Sequence, residues 1–176
     1  PYDIWANAAI EKAWMDWGNK KTASLNGRYS WCRTESLVLR SCLRDGGVLL
    51  RKFILPREQN PYGFTLQPLE IDYLDMDLNK VITTGNEIRQ GIEIDSIGRI
   101  VNFHLLSRHP GDSYQAGRRQ QVIPAAEIIY VSMPERFGQT ACAPSLVSSM
   151  LRLKMLGGYE EAELVAAREG ACKGGF

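Results

Sequence analysis
Apolar and polar positions alternate along this chain in two distinct rhythms. Over residues 3–17, DIWANAAIEKAWMDW, the period is helical: Ile10, Trp14 and Trp17 fall at i, i+4 and i+7 on one stripe. Asp3 suits the N-cap and Gly18-Asn19 the end. KKTASLNGR is polar and turn-rich and reads as a loop. A second helix is predicted over 30–44, SWCRTESLVLRSCLR, with Trp31, Val38 and Cys42 on one face. Arg33, Arg40 and Arg44 share a roughly opposite face. Asp45-Gly46-Gly47 forces a turn.

The rhythm then changes. VLLRKFIL, residues 48–55, is apolar and β-prone, which predicts a mostly buried strand. PREQNPYG reads as a loop. FTLQPLEID, residues 64–72, predicts a strand that Pro68 places at an edge or a bulge. YLDMDLNKVITTGN reads as an irregular connection. Residues 89–94 and 99–106 read as a hairpin around Asp95-Ser96-Ile97-Gly98. Val101, Phe103 and Leu105 would point one way, Asn102 and His104 the other. SRHPGDSYQAGRRQQ is a long basic loop, and residues 122–132, VIPAAEIIYVS, hold a further strand. MPERFGQTACAP is a second long loop. Pro144 suits a first helical turn, and residues 145–169 predict a long helix with a kink or break at Gly157-Gly158.

The layout is α+β: two N-terminal helices, about five mostly antiparallel strands, then a long C-terminal helix. It divides into an α+β domain over 1–144 and a helix over 145–176. The start at Pro1 and the stop at GACKGGF read as those of a fragment of a longer protein.

Composition narrows the function classes. With 176 residues and 44% hydrophobic positions, a core can form and wholesale disorder is excluded. The net charge of +1, from 21 basic and 20 acidic residues, advertises neither a nucleic-acid nor a membrane surface. No apolar run has the length of a membrane span. Cys32, Cys42, Cys142 and Cys172 form no C-x-x-C pair and lie far from His104 and His109. They read as free thiols of a reducing compartment, with Cys32 and Cys42 buried.

Little in the chain looks catalytic. The acidic run Glu70, Asp72, Asp75 and Asp77 could hold a hard divalent cation for phosphoryl transfer. Its spacing does not match a calcium-binding loop, so a solvated or inter-subunit acidic rim is the plainer reading. His104 reads as structural, and His109 as part of a turn. RDGGVLLR has neither phosphate-cradling glycine pattern. Arg108, Arg118 and Arg119, with Tyr114 nearby, could touch phosphates or an acidic surface. Trp5, Trp14 and Trp17 read as core or interface rather than a base-stacking platform.

Taken in order, the segments carry a resemblance. AWMDWGNK…WCRTESLVLRSCLRDGGVLLR resembles the start of the wing region of lambda-type tailed-phage portal proteins. LQPLEIDYLD is similar to the family's next strand. IRQGIEIDSIGRIVNFHLLSRHPGD is similar to its hairpin, here Gly91, Ile92, Glu93, Gly98, Arg99 and the turn His109 to Asp112. VIPAAEIIYVSMPERFGQ resembles a strand after an Ile-Pro-Ala step and a loop carrying Arg136, Gly138 and Gln139. The last helix resembles the family's long helix rich in alanine and glutamate. The resemblance covers nearly the whole chain. It departs at Ala141-Cys142, where the pattern has Arg-Gly.

The resemblance implies a portal: a homo-oligomeric ring, a dodecamer at full length, at one capsid vertex, with double-stranded DNA passing through its centre. It implies the terminase, capsid and head-completion or tail-connector proteins as partners. It implies no cofactor, no membrane and no covalent chemistry. The location it implies is the virion, with host cytoplasm during assembly. Arg33, Arg40, Arg44, Asp72, Asp75, Arg136 and Gln139 are candidates for subunit contacts, and Arg108, Arg118 and Arg119 for DNA or partner contacts. Two other classes remain: a metal-dependent phosphodiesterase or nuclease using residues 70–77, and a non-enzymatic protein-binding adaptor.

Overall fold
The computed structural model describes residues 3–83, 85–112 and 119–173. Helix α1 (Ile4–Trp17) starts where Asp3 Oδ1 accepts the Ala6 N–H at 3.0 Å. A short helix α2 (Lys20–Ala23) forms inside the stretch expected to be loop. Helix α3 (Trp31–Asp45) is capped by Ser30, whose Oγ accepts the Arg33 N–H, and ends at Gly46 with φ +90°. A Cβ at Gly46 would collide with the carbonyl oxygen of Cys142, so glycine is required there for both reasons.

Eight strands follow among the described residues, arranged in two antiparallel sheets. The first has the order β2-β1-β8 and the second β3-β4-β5-β6-β7. Strands β1 (Gly47–Ile54) and β2 (Phe64–Glu70) pair with Leu50 opposite Pro68. β2 is an edge, as Pro68 implied. A 3-10 turn (Ile71–Tyr73) leads to β3 (Lys80–Val81) and β4 (Glu87–Arg89). The segment expected as one strand over 89–94 is broken by a tight turn. Gln90 and Gly91 both take positive φ, 50° and 76°, so β4 and β5 (Ile92–Ile94) form a hairpin of their own. β6 (Ile100–Leu106) pairs with β5 on one side and with β7 (Gln120–Pro124) on the other. The stretch VIPAAEIIYVS also holds two strands. β7 belongs to the second sheet; after a 3-10 turn (Ala125–Glu127), β8 (Ile128–Ser132) joins the first.

β1 is apolar on both faces because both are covered. Leu49 packs with Ile92, Phe103, Leu105 and Ile123 of the second sheet. Leu50, its neighbour, points the other way, toward Trp17, Ala23 and Leu66. Trp17 also donates its indole N–H to the Phe64 carbonyl at 2.9 Å and stacks on the Phe64 ring. The first sheet therefore lies between helices and the second sheet. Cys42 is buried and Cys32 is exposed, against the expectation that both are buried. Helix α3 turns its Trp31–Val38–Cys42 face inward, and position 32 falls off that face.

Helix α4 (Val147–Lys173) runs unbroken for 27 residues through Gly157-Gly158. The expected break does not occur. Long-chain helix formers flank the pair on both sides, and each glycine's cost of about 1 kcal/mol is spread over a long helix. None of its described residues is buried.

Candidate functional site
The sequence candidates fall into three places. The first is a cleft of about 830 Å³ between α3 and β2. Leu37, Val38, Pro68 and Leu69 supply its apolar lining, and Arg40 and Arg44 stand on its helical wall. Arg33, one stripe position earlier, does not line it. Arg44 is held by Asp45 through two contacts of 2.7 Å, which together with that carboxylate's charge raise its pKa. Arg40 is exposed, and no described acidic group pairs with it.

At the far end of the cleft, the structure brings together residues the sequence keeps about 40 positions apart. His109 Nε2 lies 2.9 Å from Glu70 Oε2 and 3.6 Å from Asp72 Oδ2. These three are the only described residues whose grouping could hold a metal ion. The imidazole is set against it. Its Nδ1 accepts the Gly111 N–H at 3.0 Å, which leaves the ring proton on Nε2, facing the carboxylates. A metal ligand would need the lone pair there instead, and a proton on Nδ1 would face the Gly111 N–H. His109 thus brings its loop beside the start of the 3-10 turn, with Nε2 the ring atom nearest both carboxylates. Tyr73 lies edge-on to the His109 ring at 5.5 Å, its phenol pKa raised first by burial.

The acidic run is thus split. Asp75 faces elsewhere: its N–H donates to the His104 carbonyl at 3.0 Å, and its Oδ2 accepts from Gln120 at 2.9 Å. Asp77 is exposed and apart from the cluster. The four carboxylates do not form one site.

The second place is the loop after β8. Gly138 takes φ +73°, the Gln139 N–H donates to the Arg136 carbonyl, and Gln139 Oε1 accepts the Glu135 N–H at 2.9 Å. This shapes a turn whose outermost side chain, Phe137, is fully exposed. Gly138, Gln139 and Thr140 line a second, smaller pocket against the Ile94–Ile100 turn. The third place is the base of the basic loop. Ser107 and Arg119 exchange hydrogen bonds, Ser107 N–H to the Arg119 carbonyl and Arg119 N–H to Ser107 Oγ. Arg108 and Arg119 are exposed there. Arg118 and Tyr114 lie outside the described residues.

A buried group escaped the sequence reading. Glu93 is 7% exposed on β5. Its carboxylate accepts from Asn86 at 2.7 Å and Asn102 at 2.8 Å, with His104 Nε2 at 3.4 Å. The two amide hydrogen bonds lower its pKa against the opposing effect of burial. This network joins β5 and β6 to the residue before β4, with Glu93 and His104 buried and the two asparagines half-buried. The partner of His104 could have been inferred only from the cross-strand register.

Comparison with known proteins agrees with the resemblance. Residues 2–176 match the lambda family of phage portal proteins. A probable portal protein of Halomonas phage phiHAP-1 is 34% identical over 169 residues, covering 95% of this chain and 32% of that protein. The chain therefore spans about a third of that relative's length. On the match over residues 2–176 and on this relative, the chain belongs to the lambda family of phage portal proteins.

Proposed function
We propose that this chain is part of a portal subunit, several copies of which close into a ring at one capsid vertex through which double-stranded DNA is packaged and ejected. The supporting observation is the family match over residues 2–176. The family is a structural one, of the phage head. The ring is a dodecamer in this reading, docking the terminase during packaging and head-completion or tail-connector proteins afterwards. It performs no covalent chemistry and takes no cofactor. Residues 1–144 form its wing-like body, and 145–176 lead toward the stem.

A ring subunit needs shape-specific flanks rather than a catalytic pocket. Arg33, Arg40 and Asp72 are exposed and suit contacts between copies, as do Arg136 and Gln139. Arg44 and Asp75 are candidates too, although each already has a partner within the subunit. Arg108, Arg118 and Arg119 are the candidates to face DNA or a packaging partner. The charge balance of +1 fits a channel that DNA must move through without sticking.

Negative-stain electron microscopy of subunits of full natural length tests the reading. Rings with a central hole wide enough for a duplex are expected. Monodisperse monomers or dimers under assembly conditions would overturn it.

A further inference from the structure
We infer that the loop tip Glu135-Arg136-Phe137 of one copy docks into the α3–β2 cleft of the next copy in the ring. The inference rests on the ring reading and assigns it a specific subunit contact.

The knob is Phe137. A phenylalanine side chain wholly in water is a liability unless something covers it, and aromatic anchors in desolvated pockets dominate protein interfaces. The turn that carries it is preformed by Gly138 and by the two Gln139 hydrogen bonds, so little ordering is needed on docking. The hole is the cleft, whose lining includes Leu37, Val38 and Leu69 and the rings of Tyr29 and Tyr73. Charges match on both sides of the knob. Exposed Arg40 on the helical wall suits Glu135, and Glu70 and Asp112 at the far end suit Arg136.

Two observations select this occupant over others. The first concerns strand addition. Leu66 faces the outer edge of β2, where its carbonyl accepts the Leu25 N–H at 2.9 Å. Alternate residues share that direction, so Pro68 also faces outward and offers no N–H. An added strand would lose that hydrogen bond, whereas an inserted side chain loses nothing. The second concerns the loop's own subunit. Residues 138–140 of the loop rest against the Ile94–Ile100 turn of the second sheet, and no residue of that pocket also lines the cleft. Knob and hole are thus separate surfaces of one copy. That is the heterologous arrangement that closes rings.

The test is a titration of the synthetic peptide of residues 133–141, MPERFGQTA, into isotope-labelled chain carrying Phe137→Ala, followed by amide NMR. Saturable shifts are expected at Leu37, Arg40, Leu69 and Glu70. The Phe137→Ala peptide should bind at least about tenfold more weakly, as expected for removal of an aromatic anchor. No saturable shift at the cleft, or equal binding of the two peptides, would overturn the docking. In subunits of full natural length, Arg136→Glu should cut the ring fraction and Glu70→Arg should restore part of it. A double variant no better than the single would also count against it. Wild-type rings with a silent peptide sink this contact alone, whereas absent wild-type rings sink the ring reading.

Discussion

Helices α3 and α4 were both legible as helices, yet they are built for different surroundings. α3 has a capped start, a left-handed glycine at its end and one apolar face turned to the body. α4 is nearly twice as long, about 40 Å at 1.5 Å per residue. Its apolar residues point in all directions: Met150, Leu151, Leu153 and Leu156 lie on different sides, and all are more than half exposed. Charged residues are interspersed with them, so α4 gathers no single apolar face to turn to this body. α3 completes this body; α4 is composed for neighbours that this body does not supply. The comparison teaches that a whole helix can expose its apolar residues here, as well as single side chains such as Ile97 and Phe137.

The largest expected effect separates the two helices directly. Trp17→Ala removes the side chain that α1 and α3 share with β2. It should destabilise the body by about 3–5 kcal/mol in urea unfolding. Leu151→Ala on α4 should fall within about 0.5 kcal/mol of wild type in the same assay. Comparable losses would mean that α4 packs on the body after all.

Glycine gives the next contrast. Gly46→Ala meets both the φ of +90° and the Cys142 carbonyl, and a loss of about 2 kcal/mol or more is expected. Gly157→Ala and Gly158→Ala meet nothing within 4 Å. Each should favour the helix by about 1 kcal/mol, read as a higher midpoint for the far-ultraviolet helix signal. Disruption of rings by the same alanines, with the helix strengthened, would mark the glycine pair as a packing surface.

Acid should act on the body and spare α4. The amide hydrogen bonds hold the Glu93 carboxyl below its ordinary range in the folded state. Its contribution is therefore complete above the unfolded carboxylate pKa and is lost as pH falls through the folded value. Asp95, lowered chiefly by hydrogen bonds from Arg99, acts in the same sense. Glu93→Gln should flatten the acid side of the stability profile. An unchanged slope would remove Glu93 as its source. The smallest effect is at the α3 cap: Ser30→Ala should cost about 1 kcal/mol through the lost Arg33 N–H bond, measured by the shift in urea midpoint.

Much of the secondary structure could be read locally. Asp3 as a cap, the ends of α1 and α3, and the edge position implied by Pro68 all follow from rules that span four or five residues. The misses have local causes too. Gln90-Gly91 lacks the asparagine or aspartate that usually signals a two-residue turn, so the pattern runs through it as one strand over 89–94 and does not reveal β4. Pro124-Ala125 did not signal that the chain changes sheets between β7 and β8.

The candidate site was less legible. Arginine spacing alone placed Arg40 and Arg44 on one wall, because helical periodicity is intrinsic to the chain. That His109 meets Glu70 and Asp72 while Asp75 turns away to β6 and β7 depends on how the sheet of β2 and the sheet of β6 pack on one another through their shared core. By itself, then, the sequence determined the three long helices, the longer strands and which faces are apolar, but not α2, β3 or β4. Only the tertiary structure decided that Leu49 and Leu50 serve different cores, that Glu93 is buried among amides, and that a cleft opens beside β2. The reason is range: propensity and periodicity act within a few residues, whereas a cleft is the space left where surfaces distant in sequence fail to close on one another.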